Sequence, residues 1–365
     1  MNRAPLPNVV EAYLNQISTA VPEHDIHNKF VDYAPSLLKE ERHQALLRRM
    51  SDRTNIDHRY SFLKPHPDTF GLDTEGFYKP GAFPDTQTRM KFFERHAFTL
   101  AVRALDQLNF IEHSDSVTHL IITTCTGFYA PGIDLQIVQH YGLNSSVERT
   151  VVGFMGCYAA INALKLARHV VRSEPSSKVA ILNLELCTIH LQELDDLEKV
   201  LSFLIFGDGC SASLVSSNPS GIELQSFYST IMPHSADQIT WHIGDLGFDM
   251  VLLGKVPLTI AKGLPTQMDK ILGGRKSHDI DHWAIHPGGR TILDAVQGSI
   301  DLPMDALRQS RDVLRRFGNM SSATVMFVLK QMLAPDTKAG RGCSMAFGPG
   351  LTVESMQFQT ADNSK

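Results

Sequence analysis

Residues 151–171, VVGFMGCYAAINALKLARHVV, constrain the fold more than any other stretch of this chain. Residues 151–156 read as a short apolar strand running into a tight turn. Residues 158–171 read as a helix, because Ala159, Ala160, Ala163, Leu164, Ala167 and Val171 recur at helical spacing. The helix is apolar nearly all round and rich in alanine, so it should be buried. Cys157 stands at the junction, where the free N–H groups of a helix start and the positive end of its dipole favour a thiolate. Two roles fit such a cysteine. One is a nucleophile held rigidly at the end of a pocket, and the other is a buried structural thiol.

A chain of 365 residues can bury a large core and divide into two domains or one duplicated one. The net charge of −5 and the lack of a long basic block argue against a nucleic-acid partner. No apolar run approaches the roughly 20 residues needed to span a bilayer, so stable membrane insertion is not expected. The first residues, MNRAPLPNVVEAYLNQ, lack an apolar signal core, which predicts a cytoplasmic protein. The five cysteines, Cys125, Cys157, Cys187, Cys210 and Cys343, form no CxxC pair, and the sixteen histidines form no HExxH-like pattern. No metal site is expected from these spacings.

Strand and helix patterns alternate along the whole chain. Helices are expected at about 35–55, 89–109, 133–141, 195–205, 257–272, 290–300 and 305–316, with another after GNMSS at 318–322. Buried strands are expected at 117–124, 178–188 and 281–286, and GCSMAFGPGLTVESMQFQ closes the chain as two strands around a glycine turn. The stretch 62–88 is rich in Pro, Gly and Asp and reads as a long loop. NPSG at 218–221 marks a boundary between two halves, 1–220 and 221–365, and each half carries a strand that ends at a polar residue opening a helix.

Three residues share one context. Cys157, His286 and Asn319 each lie at a Gly-bearing junction before a buried helix, in MGC, HPGG and GNMSS. Sites in α/β proteins form at such strand ends. A histidine can act as base to a cysteine and then stabilise the thiolate. An asparagine amide can donate to a developing oxyanion. Taken singly, His286 could equally be a satisfied core histidine and Asn319 a helix N-cap.

The motifs GFMGCYAA, LIFGDG, AIHPGGRTILD, GNMSSATVMFVL and AFGPGLTVE, in this order, resemble those of type III polyketide synthases, the chalcone synthase-like family. The resemblance runs from RYSFL at 59–63 to the end of the chain. It implies a thiolase-like fold of two related α/β halves in a layered αβαβα core, and a homodimer. It implies Cys157 as nucleophile with His286 and Asn319 as its partners. Phe206 and Phe248 match two phenylalanines where the family's CoA tunnel meets its cavity. Arg49 and Arg53 match basic, CoA-binding positions of an early helix, while Leu46 replaces another. Cys125 stands where chalcone synthase has threonine, and Ala130 where it has a methionine that reaches across the dimer interface. The segment 186–200 aligns poorly.

The implied reaction uses an acyl-CoA starter and malonyl-CoA, with CoA thioesters as substrates and no metal, flavin or nicotinamide cofactor. Cys157 takes the starter acyl group, malonyl-CoA loses carbon dioxide, and the resulting carbanion extends the chain before cyclisation to a pyrone or aromatic ring. The cysteine in CTGF suits bacterial members of the family, which make alkylresorcinols, alkylpyrones or polyhydroxynaphthalenes among other products, and a more apolar pocket wall at Cys125 and Ala130 favours fatty acyl starters. Two other readings stand beside this one: a ketoacyl synthase III-like condensing enzyme, whose histidine is followed by a different sequence, and a non-catalytic thiolase-like binding protein.

Overall fold

A computed structural model describes residues 10–68 and 71–361. Its strands are β1 (Tyr13–Ala20), β2 (His24–Asp25), β3 (Tyr60–Ser61), β4 (His119–Thr124), β5 (Glu148–Gly153), β6 (Val179–Leu186), β7 (Asp208–Ser216), β8 (Ile222–Ile231), β9 (Ile239–Gly244), β10 (Gly247–Leu252), β11 (His282–Ile285), β12 (Gly340–Gly348) and β13 (Thr352–Thr360). Nine of them form one sheet in the order β11-β12-β13-β8-β1-β7-β6-β4-β5.

That order is the same motif written twice. In the first half β4 runs parallel to β5 and β6, β6 is antiparallel to β7, and β7 is antiparallel to β1. In the second half β11 runs parallel to β12, β12 is antiparallel to β13, and β13 is antiparallel to β8. Each half therefore lays its strands down in one sequence, and only the counterpart of β5 is missing from the second among the described residues. The half-sheets meet through two residue pairs, Tyr13↔Glu223 and Leu14↔Ile222.

The layers follow from where apolar side chains fall. The helices Ala159–Ser173 and Thr324–Gln331 share one buried cluster with residues from both half-sheets, so they form the middle layer. Leu164 there is fully buried, and its truncation to alanine costs about 2–5 kcal/mol. On the outer face of the first half lies the helix Thr86–Asp106, started by Asp85, whose carboxylate accepts from the Thr88 N–H at 2.8 Å. The helices Val256–Gly263 and Arg290–Ser299 cover the outer face of the second. The result is the αβαβα arrangement of a thiolase-like fold.

Two local expectations differ from the structure. The helix expected at about 257–272 breaks after Gly263, because Pro265 cannot continue an α-helical ladder; a 3₁₀ turn, Leu264–Thr266, and one further turn, Met268–Ile271, follow. The polar stretch between ELQSFYSTIM and GFDMVLLGKVP, which reads as a loop from sequence, contains β9, which pairs with β10 as a hairpin. Its side chains are half-buried or exposed, so ITWHIG carries no clear alternation.

Candidate active site

Cys157 is placed by two unusual backbone positions and one close approach. After β5 the chain turns through Phe154 (φ 57°) and Gly156 (φ 70°), and Cys157 follows in a single 3₁₀ turn, Gly156–Tyr158, ahead of the helix Ala159–Ser173. A Cβ on Gly156 would lie 2.3 Å from Cδ of Pro349, so only glycine fits against the 348–350 turn. Burial pushes the Cys157 thiol up to about 12, while hydrogen bonding to Ser321 and Asn319 pulls it down. The helix start alone therefore does not make a thiolate here. Loss of water around the sulfur outweighs it, although the residue keeps intermediate exposure.

His286 follows the last residue of β11 and is held by its own N–H, which donates to the Met345 carbonyl at 2.8 Å. Its side chain is 1% exposed, and neither ring nitrogen has a protein partner. Burial drives the imidazole down to about 3, so it is neutral. Asn319 is clamped on both sides: its N–H donates to the Ile205 carbonyl at 2.7 Å, and its carbonyl accepts from Gly207 N–H at 3.0 Å. Its side-chain oxygen accepts from the Ser321 N–H at 2.9 Å. That bond turns the NH₂ the other way, where it lies 3.5 Å from the Gly288 carbonyl, beside His286, and faces the Cys157 thiol. Asn319 is not the N-cap of the helix that follows, whose N-cap is Ala323 with no side-chain cap bond; its oxygen closes a local turn onto the Ser321 N–H instead.

The duplicated fold explains this convergence. Cys157 and Asn319 stand before the two middle-layer helices, one in each half. His286 follows β11 as Cys125 follows its counterpart β4.

The sequence profile described as chalcone and stilbene synthases, N-terminal domain, matches residues 8–219, and that of the C-terminal domain matches residues 223–361. The chain belongs to the chalcone and stilbene synthase family. It is 33% identical over 371 residues to an alpha-pyrone synthesis polyketide synthase-like protein, Pks18, of Mycobacterium tuberculosis, covering 97% of this chain and 92% of that one. A solved structure of a synthase from the brown alga Ectocarpus siliculosus superposes with a TM-score of 0.86 at 25% identity, covering 97% of this chain and 99% of that one. The C-terminal type III polyketide synthase domain of Steely1 from Dictyostelium shares the fold, with a TM-score of 0.87 at 22% identity over 96% of this chain and 99% of that one. This chain is therefore a type III polyketide synthase, a condensing transferase.

In the synthase, Cys157 opens onto an apolar cavity of about 470 Å³, whose walls include Cys125, Phe206, Trp241, Met250 and Ser321. Phe206 and Cys125 both border it. Phe248 does not line that cavity: it is stacked on His190 at 4.4 Å and packs on Phe154 at 5.5 Å, behind the wall. Ala130 is exposed and lies outside the cavity of its own chain, so it cannot widen that wall from within. Arg49 and Arg53 are exposed and border a separate groove of about 970 Å³ together with Ile205, Gly289 and Arg290. That groove lies beside the HPGG turn, and none of the three arginines has a carboxylate partner among the described residues.

Sequence reasoning missed Glu185. It is fully buried in β6 and accepts from Cys125 N–H (2.9 Å), Thr126 Oγ1 (2.9 Å) and Ser322 Oγ (2.6 Å). Burial raises its carboxyl pKa, and those donors oppose the shift. A lone acidic residue inside the apolar run VAILNLELC was the available signal. Arg290 was also missed, because an arginine opening a helix reads as surface. Among the described residues no group of three or more His, Cys, Asp or Glu is arranged to hold a metal ion, and no helix is long and apolar enough to cross a membrane.

Proposed function

We propose that this synthase loads an acyl-CoA starter on Cys157 and extends it by decarboxylative condensation with malonyl-CoA. The orientation of Asn319 carries the reading. With its oxygen tied to Ser321 N–H, its NH₂ is free to donate to the thioester oxygen on which charge develops as carbon dioxide leaves. His286 takes the Cys157 proton, and the imidazolium then stabilises the thiolate and donates to the same oxygen. The thiolate attacks the starter thioester, and CoA leaves as the thiol. The carbanion from malonyl-CoA attacks acyl-Cys157, and the lengthened chain returns to the cysteine before cyclisation. Phe206 and Phe248 serve as the apolar boundary near the reacting carboxylate, with Phe248 acting from behind. Arg49 and Arg53 hold the phosphates of CoA at the groove.

The starter is a fatty acyl group and the product an alkylpyrone or alkylresorcinol. The apolar cavity supports this, since buried methylenes gain about 0.8 kcal/mol each, and so does the alpha-pyrone synthesis for which the mycobacterial relative is named. The halves 1–220 and 221–365 are two copies of one unit, as the repeated strand order suggests. Two chains pair as a homodimer through the edge strand β5, where Val151 is 49% exposed beside exposed Phe128 and Met155. Mass spectrometry of products from malonyl-CoA alone and with hexanoyl-, lauroyl- and coumaroyl-CoA tests the starter. A preference for coumaroyl-CoA, or a main product from malonyl-CoA alone, overturns the fatty-starter reading. A requirement for malonyl-carrier protein returns the ketoacyl synthase III-like alternative, and absence of any acyl-enzyme returns a binding protein.

A further inference from the structure

The segment 201–206 is a partition. Leu201, Leu204 and Ile205 border the arginine-lined groove, whereas Phe203 and Phe206 border the cavity at Cys157. One turn of chain therefore separates the place where CoA docks from the place where its thioester reacts. On the partition's far side, the peptide units around Phe206 hold Asn319: Ile205 carbonyl accepts from Asn319 N–H and Gly207 N–H donates to Asn319 carbonyl, a parallel bridge between Phe206 and Asn319.

Behind the partition lies Arg59, 2% exposed. Its Nη1 donates to the carbonyls of Phe203 (2.7 Å) and Phe206 (2.9 Å), and its Nε donates to His27 Nδ1 (2.9 Å). The guanidinium lies 4.8 Å over the Phe30 ring, and no acidic side chain pairs with it among the described residues. Glycines make room for its stem: a Cβ on Gly318 would lie 2.8 Å from Arg59 Cγ, and one on Gly207 3.4 Å from Arg59 Cβ. A buried cation that ends on two carbonyls costs free energy relative to an apolar filler. What it gains here is geometry, since one planar group fixes both ends of the 203–206 turn.

We propose that Arg59 is a positioning residue for decarboxylation: it fixes the partition between groove and cavity and, through Phe206, the amide of Asn319. This rests on the assignment of Asn319 to that step. A displacement of about 1 Å in a group that stabilises developing charge lowers the rate roughly a hundred-fold. Attack of Cys157 on a starter depends less on that amide. Loss of the clamp therefore separates the two half-reactions, which general loosening of the core does not.

The test compares full-length wild type with Arg59→Lys, Arg59→Gln and His27→Leu. The last removes only the acceptor of Nε and disturbs the clamp more gently. Each is measured for thermal unfolding, for the rate of Cys157 acylation by lauroyl-CoA, and for carbon dioxide release from malonyl-CoA. Arg89→Lys is the control, since Arg89 is also fully buried but bonds Pro84, Tyr78 and Ile189 instead. The expected result is little change in acylation and a fall in kcat for carbon dioxide release of roughly ten- to a hundred-fold in Arg59→Gln. Arg59→Lys recovers part of this, and His27→Leu shows a smaller fall of the same kind. Arg89→Lys lowers both rates together. Folded Arg59 variants that lower both in proportion, or neither, overturn the proposal. If those variants do not fold, an unsplit His27→Leu overturns it. A wild type that neither acylates nor releases carbon dioxide refutes the functional assignment instead.

Discussion

Replacing His286 by glutamine tests how Cys157 becomes a nucleophile. Burial holds the thiol near 12 and the imidazole near 3, so each group alone stays neutral. A thiol at about 12 leaves on the order of one molecule in 10⁴–10⁵ as thiolate at pH 7.5. Moving the proton from sulfur to imidazole creates an ion pair from two neutral groups. For a pair about 4 Å apart at an effective dielectric of about 20, the attraction is about 4 kcal/mol. That equals about three pKa units, which offsets only part of the gap of about nine between a thiol near 12 and an imidazole near 3, so the resting pair stays neutral and the role proposed for His286 is to take the proton as the sulfur attacks. Glutamine is polar and of similar reach, but it cannot carry the charge. His286→Gln should therefore slow alkylation of Cys157 by iodoacetamide at neutral pH by on the order of 10²–10⁴, the usual contribution of a positioned general base. Intact-protein mass gives the rate between pH 5.5 and 10, and peptide mapping identifies the site. Superimposable profiles for the two proteins would refute the reasoning, and first reaction at another cysteine with activity intact would make Cys157 structural.

Cys157→Ala should fold yet form no acyl-enzyme by intact mass. Asn319→Ala should still load a starter but release carbon dioxide about 10²–10³ times more slowly; near-normal release would leave Asn319 with a structural role in its turn only. Gly156→Ala should lower stability by about 1–3 kcal/mol and abolish turnover, because a non-glycine residue at φ 70° also meets Pro349 at 2.3 Å; an unchanged melting temperature would contradict this. His27, near 4, and His190 and His286, near 3, are neutral in the native state and protonate more readily once unfolded, near 6.5. Their contribution is complete above about pH 6.5 and is lost as pH falls toward 4 and 3, so melting temperatures measured across that window should drop with proton uptake on unfolding. Cys125→Phe should shorten the accepted acyl chain in competition assays, whereas Ala130→Met should leave the chain's own cavity unaltered and act only through a partner copy.

The parts of this site that the sequence exposes are those that short-range rules govern. The alternation of apolar strands and helices, the alanine-rich helix behind Cys157 and the glycine junctions all express backbone and burial requirements that act within a few residues. The strand reading at 281–286 and the helix reading at 133–141 agree with β11 and with Ile133–Tyr141 for that reason. What the sequence conceals is set by contacts between distant segments. Glu185 is a tolerable charge only because Cys125, Thr126 and Ser322, each some sixty or more residues away, bring donors to it. Arg59 looks like one more cation in a polar stretch until the fold delivers the carbonyls of Phe203 and Phe206 to its fork. The electrostatic state of Cys157 was the larger surprise of the same kind. A helix start argues locally for a thiolate, but packing by distant segments pushes the thiol the other way. The two repeated strand orders meet at the starts of their middle helices. The duplication, visible in strand order and invisible as a sequence repeat, is therefore the physical reason that a cysteine at 157 and an asparagine at 319 come within hydrogen-bonding reach of each other.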